Sequence, residues 1–233
     1  MQLWTTQAIN VSSLEAEICF TLRNDFYYEP DSHPEVAEKK EVELLILPSF
    51  SRKVDLLATT SEVMGNESSL AEYYEQVITY AKKYKKSFND CRHYFWLRLW
   101  LWNSDANIFV SFPWSDNQSD FDGLINSLIS TETGQAYWDA DQGWEIEVIA
   151  EGDFFYIRES DPDSDETHYV IKVLRSSLTT QLSNAQNRSK TIISYLSERI
   201  GADLWTKYSS YSPLIFPISN PAEVKINPWW KIW

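Results

Sequence analysis

The sequence predicts an α+β fold, with antiparallel sheets built as hairpins and a meander and backed by three main helices in a single compact body. Three observations carry this expectation. Strict two-residue alternation marks strands such as Leu14–Leu22. Apolar residues at three- and four-residue steps mark helices after Ser68, Ser119 and Ser176. The connections are short and rich in Asn, Asp, Gly, Pro and Ser. The order is strand-strand-helix, strand-strand-helix, strand-strand-strand-helix, a rhythm that suits sheets backed by helices.

In Leu14–Leu22, residues Leu14, Ala16, Ile18, Phe20 and Leu22 share one face, which predicts a half-buried strand. Asp25 to Lys40 is charged, contains Pro30 and Pro34, and reads as a loop. Glu41–Leu47 is a second strand stopped by Pro48, and Val54–Thr59 a shorter third. Ser68-Ser69 opens a helix running to about Lys86, with Leu70, Tyr73, Tyr74, Val77, Ile78, Ala81 and Tyr84 on one face. Lys82, Lys83, Lys85 and Lys86 crowd its last turn, where positive charge complements the exposed carbonyls.

Tyr94–Trp102 predicts an aromatic strand, with Phe95, Leu97, Leu99 and Leu101 on one face and Trp96, Arg98, Trp100 and Trp102 on the other. Two apolar faces imply a central strand covered on both sides. Asn103–Asn107 is a hairpin loop into Ile108–Trp114, and Ser119 caps a helix presenting Phe121, Leu124, Ile125, Leu128 and Ile129. Strands follow at Trp144–Ile149, Phe154–Glu159 and His168–Leu174, joined by turns at Glu151-Gly152-Asp153 and Asp161-Pro162-Asp163-Ser164. A long helix opens at Ser176 or Ser177, carries Leu178, Leu182, Ala185, Ile192, Leu196 and Ile200, and ends at Gly201. Residues 1–208 form the globular domain, divisible into halves 1–115 and 116–208, and 209–233 is a C-terminal strap rich in Pro and Trp.

Catalytic motifs are missing. Cys91 and His93 would share a strand face, but no CxxC, HxH or HExxH pattern completes a metal site. Asp161–Asp165 starts like a calcium loop, yet Glu166 stands at the glycine position and Lys172 at the bidentate one. The sequence has neither a GxGxxG nor a GxxxxGK[ST] phosphate loop, and no GxSxG elbow. No metal, cofactor or enzymatic activity is expected. Cys19 and Cys91 are read as reduced and buried. With no apolar run near the length of a membrane span and no leader pattern in Met1–Thr6, the expected location is the cytoplasm.

Charge supplies the functional signal. From Asp139 to Glu166 there are eleven acids against Arg158 alone, ten of the chain's fourteen net negative charges. Such a field attracts basic partners and repels nucleic acid and anionic membranes. Glu145, Glu147, Glu159, Asp161, Asp163, Asp165 and Glu166 are the candidate partner-binding acids, with Trp229, Trp230 and Trp233 as aromatic anchors in the strap. In its general properties (acidic, aromatic, lacking catalytic motifs) the chain looks like immunity proteins of bacterial polymorphic or contact-dependent toxin systems. That resemblance implies a cytoplasmic inhibitor of a basic, nuclease-like toxin domain. A structural or regulatory interaction module is the second reading, and a carbohydrate-binding or hydrolytic protein using the tryptophans the third.

Overall fold

Residues 3–28, 42–112, 116–141, 143–164 and 166–206 are described by the structure, a computed structural model. After a 3-10 turn at Leu3–Gln7 come β1 (Ile9–Asn10), β2 (Glu15–Thr21), β3 (Asp25–Tyr27), β4 (Val42–Leu44) and β5 (Leu57–Thr59). Helices α1 (Thr60–Val63), α2 (Glu67–Lys83) and α3 (Phe88–Cys91) precede the hairpin β6 (Leu97–Asn103) and β7 (Ile108–Phe112). Then follow α4 (Gln118–Ser130), β8 (Gly134–Asp141), β9 (Trp144–Glu151), β10 (Phe154–Asp161), β11 (Glu166–Leu174) and α5 (Arg175–Ile200). The strands form a four-stranded sheet in the order β5-β2-β6-β7, a five-stranded sheet in the order β1-β11-β10-β9-β8, and the pair β3-β4. The fold is α+β, as expected, with α2, α4 and α5 as the main helices.

One apolar core joins both sheets to these helices. Leu97, Leu99 and Leu101 of β6 and Val110 and Phe112 of β7 face it, and the Phe112 ring meets Tyr137 of β8 at 5.5 Å. The predicted apolar face of α2 is buried from Leu70 to Ala81. Its Tyr73 hydroxyl accepts from Arg23 N–H at 2.8 Å and donates to the Arg23 carbonyl at 3.2 Å. Tyr94 does the same for Tyr27 N–H and the Asp25 carbonyl. These two phenols satisfy backbone groups next to β3 that would otherwise be orphaned inside the protein. Helix α5 buries Leu178, Leu182, Ala185, Ile192 and Leu196 and stops at Gly201, whose φ of 83° favours glycine.

Several expectations are corrected. Asp25–Tyr27 is a strand rather than loop, paired with Val42–Leu44; residues 29–41 lie outside the described ones. Strand β2 is covered on both faces, because Glu17 and Cys19 are buried along with the apolar set. Residues 88–94 are helical, so Cys91 and His93 do not share a strand face. Asn117, not Ser119, caps α4 by accepting from Asp120 N–H at 3.1 Å, and Ile129 is left exposed. The start of α2 uses no serine cap, since Ser69 Oγ instead accepts from Ser49 N–H at 3.0 Å. The strand starts only at Leu97, leaving the half-buried Trp96 outside it; Trp102 is buried but Trp100 is half-buried, so the second face of β6 is only partly covered. Strands β1 and β8 were not expected; β8 makes the meander four-stranded.

Beyond α5 the chain turns back, and Trp205 is fully buried against Tyr74 and Phe95. Gln118 and Ser119 donate their N–H groups to the carbonyls of Trp205 and Thr206, both at 2.9 Å. The first turn of α4 thus finds acceptors that no side chain provides. The strap 209–233, with Trp229, Trp230 and Trp233, lies outside the described residues. No helix among the described residues is long and apolar enough to cross a membrane.

Candidate partner-binding face

The register of β9 on β10 sets Glu147 opposite Arg158 and Glu145 opposite Ser160. Pairing across antiparallel strands puts all four side chains on one face, the outer face of the five-stranded sheet. Arg158 Nη2 lies 3.2 Å from Glu145 Oε2 and 3.1 Å from Glu147 Oε2. Trp4 Nε1 donates to Glu147 Oε2 at 3.1 Å while the guanidinium of Arg158 sits over the Trp4 ring. Trp138 Nε1 and Ser160 Oγ donate to Glu145 at 2.9 and 3.2 Å. The candidate acids Glu145 and Glu147 do share one face, but they are not free at the surface. Glu147 is buried and Glu145 largely enclosed, each held by an arginine and an indole. Two carboxylates this close avoid repulsion because the guanidinium bridges them.

Glu159 points the opposite way, as alternation along β10 requires. It approaches the edge of the other sheet, where the Ser111 backbone of β7 is near enough to favour its charged form. Burial pushes its carboxyl above the ordinary range, partly opposed by His168 and by the Ser111 backbone. Its Oε2 is buried without a hydrogen-bond partner among the described residues. Glu159 thus does not join Glu145 and Glu147.

Asp161 and Asp163 organise turns. Asp161 accepts from Asp163 N–H and Ser164 Oγ at 2.8 and 2.7 Å, bonds that hold its carboxyl below the usual value. Asp163 Oδ2 accepts from Gly143 N–H at 2.8 Å, clipping the β8–β9 turn to the β10–β11 turn. This brings Asp139, Asp141, Asp161 and Asp163 to one end of the sheet, with Asp141 and Asp163 exposed. Asp165 lies outside the described residues; the backbone of Glu166 pairs with Asp161, and its side chain is not described.

Sequence reasoning missed Trp138. It is 55 % exposed and stands on the edge strand β8 between the acids of the outer face and those of the turn end. The flanking Tyr137 and Asp139 leave no clean alternation by which a strand could be read.

A groove of about 290 Å³ lies on the outer face of the four-stranded sheet, lined by Lys53, Trp100, Trp102 and Phe109 among others. Lys53 Nζ sits 4.6 Å from the Trp102 ring centre, and Trp102 Nε1 donates to Glu15 at 2.8 Å. The side-chain amide of Asn103, also in its lining, is engaged by the Ser13 carbonyl and the Ala106 N–H. The thiols are poor nucleophiles. Cys19 and Cys91 are buried free thiols; desolvation pushes Cys19 well up and Cys91 up to about 12, so neither is a ready thiolate. Burial, then Arg23 and Arg92, lowers His93 to about 4. Among the described residues no group of three or more His, Cys, Asp or Glu side chains could hold a metal ion.

The chain matches no family model, no curated protein and no solved structure. The functional reading rests on the geometry of this acidic, tryptophan-bearing end.

Proposed function

We propose that the chain is a non-catalytic acidic binding protein that neutralises a basic, nuclease-like bacterial toxin. The observation that supports this reading is the exposed Trp138 beside the acids of the turn end. Arg158, the one base of the acidic segment, is already engaged by Glu145 and Glu147. Asp139, Asp161 and Asp163 accept from hydroxyl and amide groups rather than from that guanidinium, and Asp141 and Asp163 are exposed. An exposed tryptophan supplies a large apolar anchor, and surrounding acids supply steering. A nuclease must be cationic around its polyanionic substrate, so it is a partner of the complementary kind.

Affinity capture from the native cell at low salt, followed by stopped-flow association of the captured partner, tests the reading. The double variant Asp141→Lys, Asp163→Lys should fold and associate more slowly than the parent, and the difference should shrink as salt screens charges beyond about 8–10 Å. Unchanged association at low salt would remove this face from consideration. The carbohydrate-binding reading is favoured by one observation, the open groove lined by Trp100, Trp102 and Phe109. Specific glycan binding that Trp100→Ala abolishes would support it.

A further inference from the structure

We infer that the outer edge of β8, at Trp138 and Ala140, takes a basic extended segment of a protein partner as an added strand. This rests on the binding reading above and specifies its mode.

The end strands differ in what covers them. At one end of the five-stranded sheet, β11 is partly closed by the short parallel strand β1. In the four-stranded sheet, β7 has Glu159 beside its Ser111 backbone, and β5 is only three residues long. β8 runs for eight residues and ends its sheet. Its first half is closed by α4, where Ser127 Oγ donates to the Ala136 carbonyl at 2.8 Å. Among the described residues no strand pairs with the outer edge of the second half.

The direction of its backbone groups follows from the turn. Only two residues separate Asp141 from Trp144, so Asp141 and Trp144 form the hydrogen-bonded closing pair. Antiparallel pairs alternate, which turns the backbone groups of Ala140 and Trp138 away from β9. The contact made by Ala140 agrees: its N–H is directed to its neighbour's side chain, Asp139 Oδ1, at 2.9 Å. Open strand edges of this kind are templates for an incoming chain.

Side chains set the character of that chain. Trp138 lies on the outer face with Glu145 and Glu147, whereas Asp139 and Asp141 lie on the opposite face with Ile146 and Trp144. An added strand with basic residues on one face and apolar residues on the other would place its cations along Asp139 and Asp141 and its apolar groups along Trp138. A second copy of this chain is the wrong occupant, since pairing two β8 edges would set aspartates against aspartates, and like charges across strands repel.

The test adds short end-blocked peptides to the full chain: one alternating lysine and valine, one alternating glutamate and valine. Affinity is read by titration and backbone contact by amide hydrogen exchange. The lysine peptide should bind, the glutamate peptide should not, and exchange at Trp138 and Ala140 should slow by at least about tenfold. Trp138→Thr, which keeps strand propensity, should weaken the lysine peptide by about tenfold. Binding of the lysine peptide without slowed exchange at Trp138 and Ala140 would overturn strand addition while leaving the acidic-partner reading intact. If neither peptide binds, or both bind alike, the edge has no preference for a basic strand and the inference falls. The captured partner's salt dependence then judges the broader reading separately.

Discussion

Arg188 of α5 reaches Glu17 of β2, with Nη2 to Oε1 at 2.8 Å across 171 positions of sequence. The other Glu17 oxygen accepts from the Thr60 hydroxyl and from Ser61 N–H at 3.1 Å, at the start of α1. Arg188 Nε also donates to Thr60 Oγ1 at 3.2 Å. A buried carboxylate thus joins a strand to two helices, and the helix start favours its negative charge.

Removing the arginine should be costly. Arg188→Ala leaves Glu17 buried with its short-range donors only, and the expected loss is about 2–3 kcal/mol. The paired change Glu17→Leu, Arg188→Leu should cost less than Arg188→Ala alone, because no charge is left stranded. Urea midpoints at constant slope would show this; a double variant weaker than the single would mean that the cluster stabilises by more than satisfying its own burial.

Trp4→Phe keeps an aromatic ring over Arg158 but deletes the indole donor to Glu147. A loss of about 1–2 kcal/mol is expected, since a buried carboxylate loses a hydrogen bond. The loosening should be local: amide exchange at Ile9 and Asn10 should speed up more than exchange in α5. Equal acceleration in both would show that the segment Leu3–Asn10 is part of the global folding unit.

His93 should make the fold sensitive to acid. Its folded value lies near 4, below the ordinary histidine value of 6.5, because burial and the cations Arg23 and Arg92 disfavour the imidazolium. The unfolded chain therefore takes up the proton first, so stability from this group is complete above 6.5 and falls as pH drops towards 4. His93→Gln should flatten that part of the stability–pH curve. An unchanged slope would assign the acid sensitivity to other groups.

Glu159 has the opposite sign. Burial raises its folded value above that of the unfolded carboxyl, so its ionisation opposes folding as pH rises through the carboxylate range. Glu159→Gln keeps the size of the side chain and removes the charge. The variant should be more stable than the parent at neutral pH, with the advantage vanishing in acid. A less stable variant at neutral pH would show that the carboxylate is held by its attraction to His168.

The parts of this fold that were legible in sequence are those where one face is apolar and the other polar. In α2 and α5 every expected core position up to Ala81 and Leu196 is buried, because helical spacing alone decides which side meets the core. The meander β9–β10–β11 was legible for the same reason. β8 was not: of its residues only Ala136 is buried, so an edge strand with two polar faces leaves no periodic trace. Strand β1, at two residues, is too short for any pattern. In the candidate site, alternation put Glu145 and Glu147 on one face but could not disclose that Trp4, Trp138 and Arg158 fill that face. Those partners come from three other segments, and only the assembled sheet brings them together.

The parallel pairing of Ile9 and Asn10 with Ile171 and Lys172 sets an order on folding. Trp4 leaves the ribosome 143 residues before Glu147, roughly ten seconds of elongation or more. During that interval Leu3–Asn10 has no sheet edge to join, whereas the hairpin β6–β7 can close locally. The earliest-made segment of the five-stranded sheet is therefore among the last to be incorporated. A nascent chain halted within β10 would hold the four-stranded sheet's strands but carry β1 unpaired, open to proteases until β11 emerges.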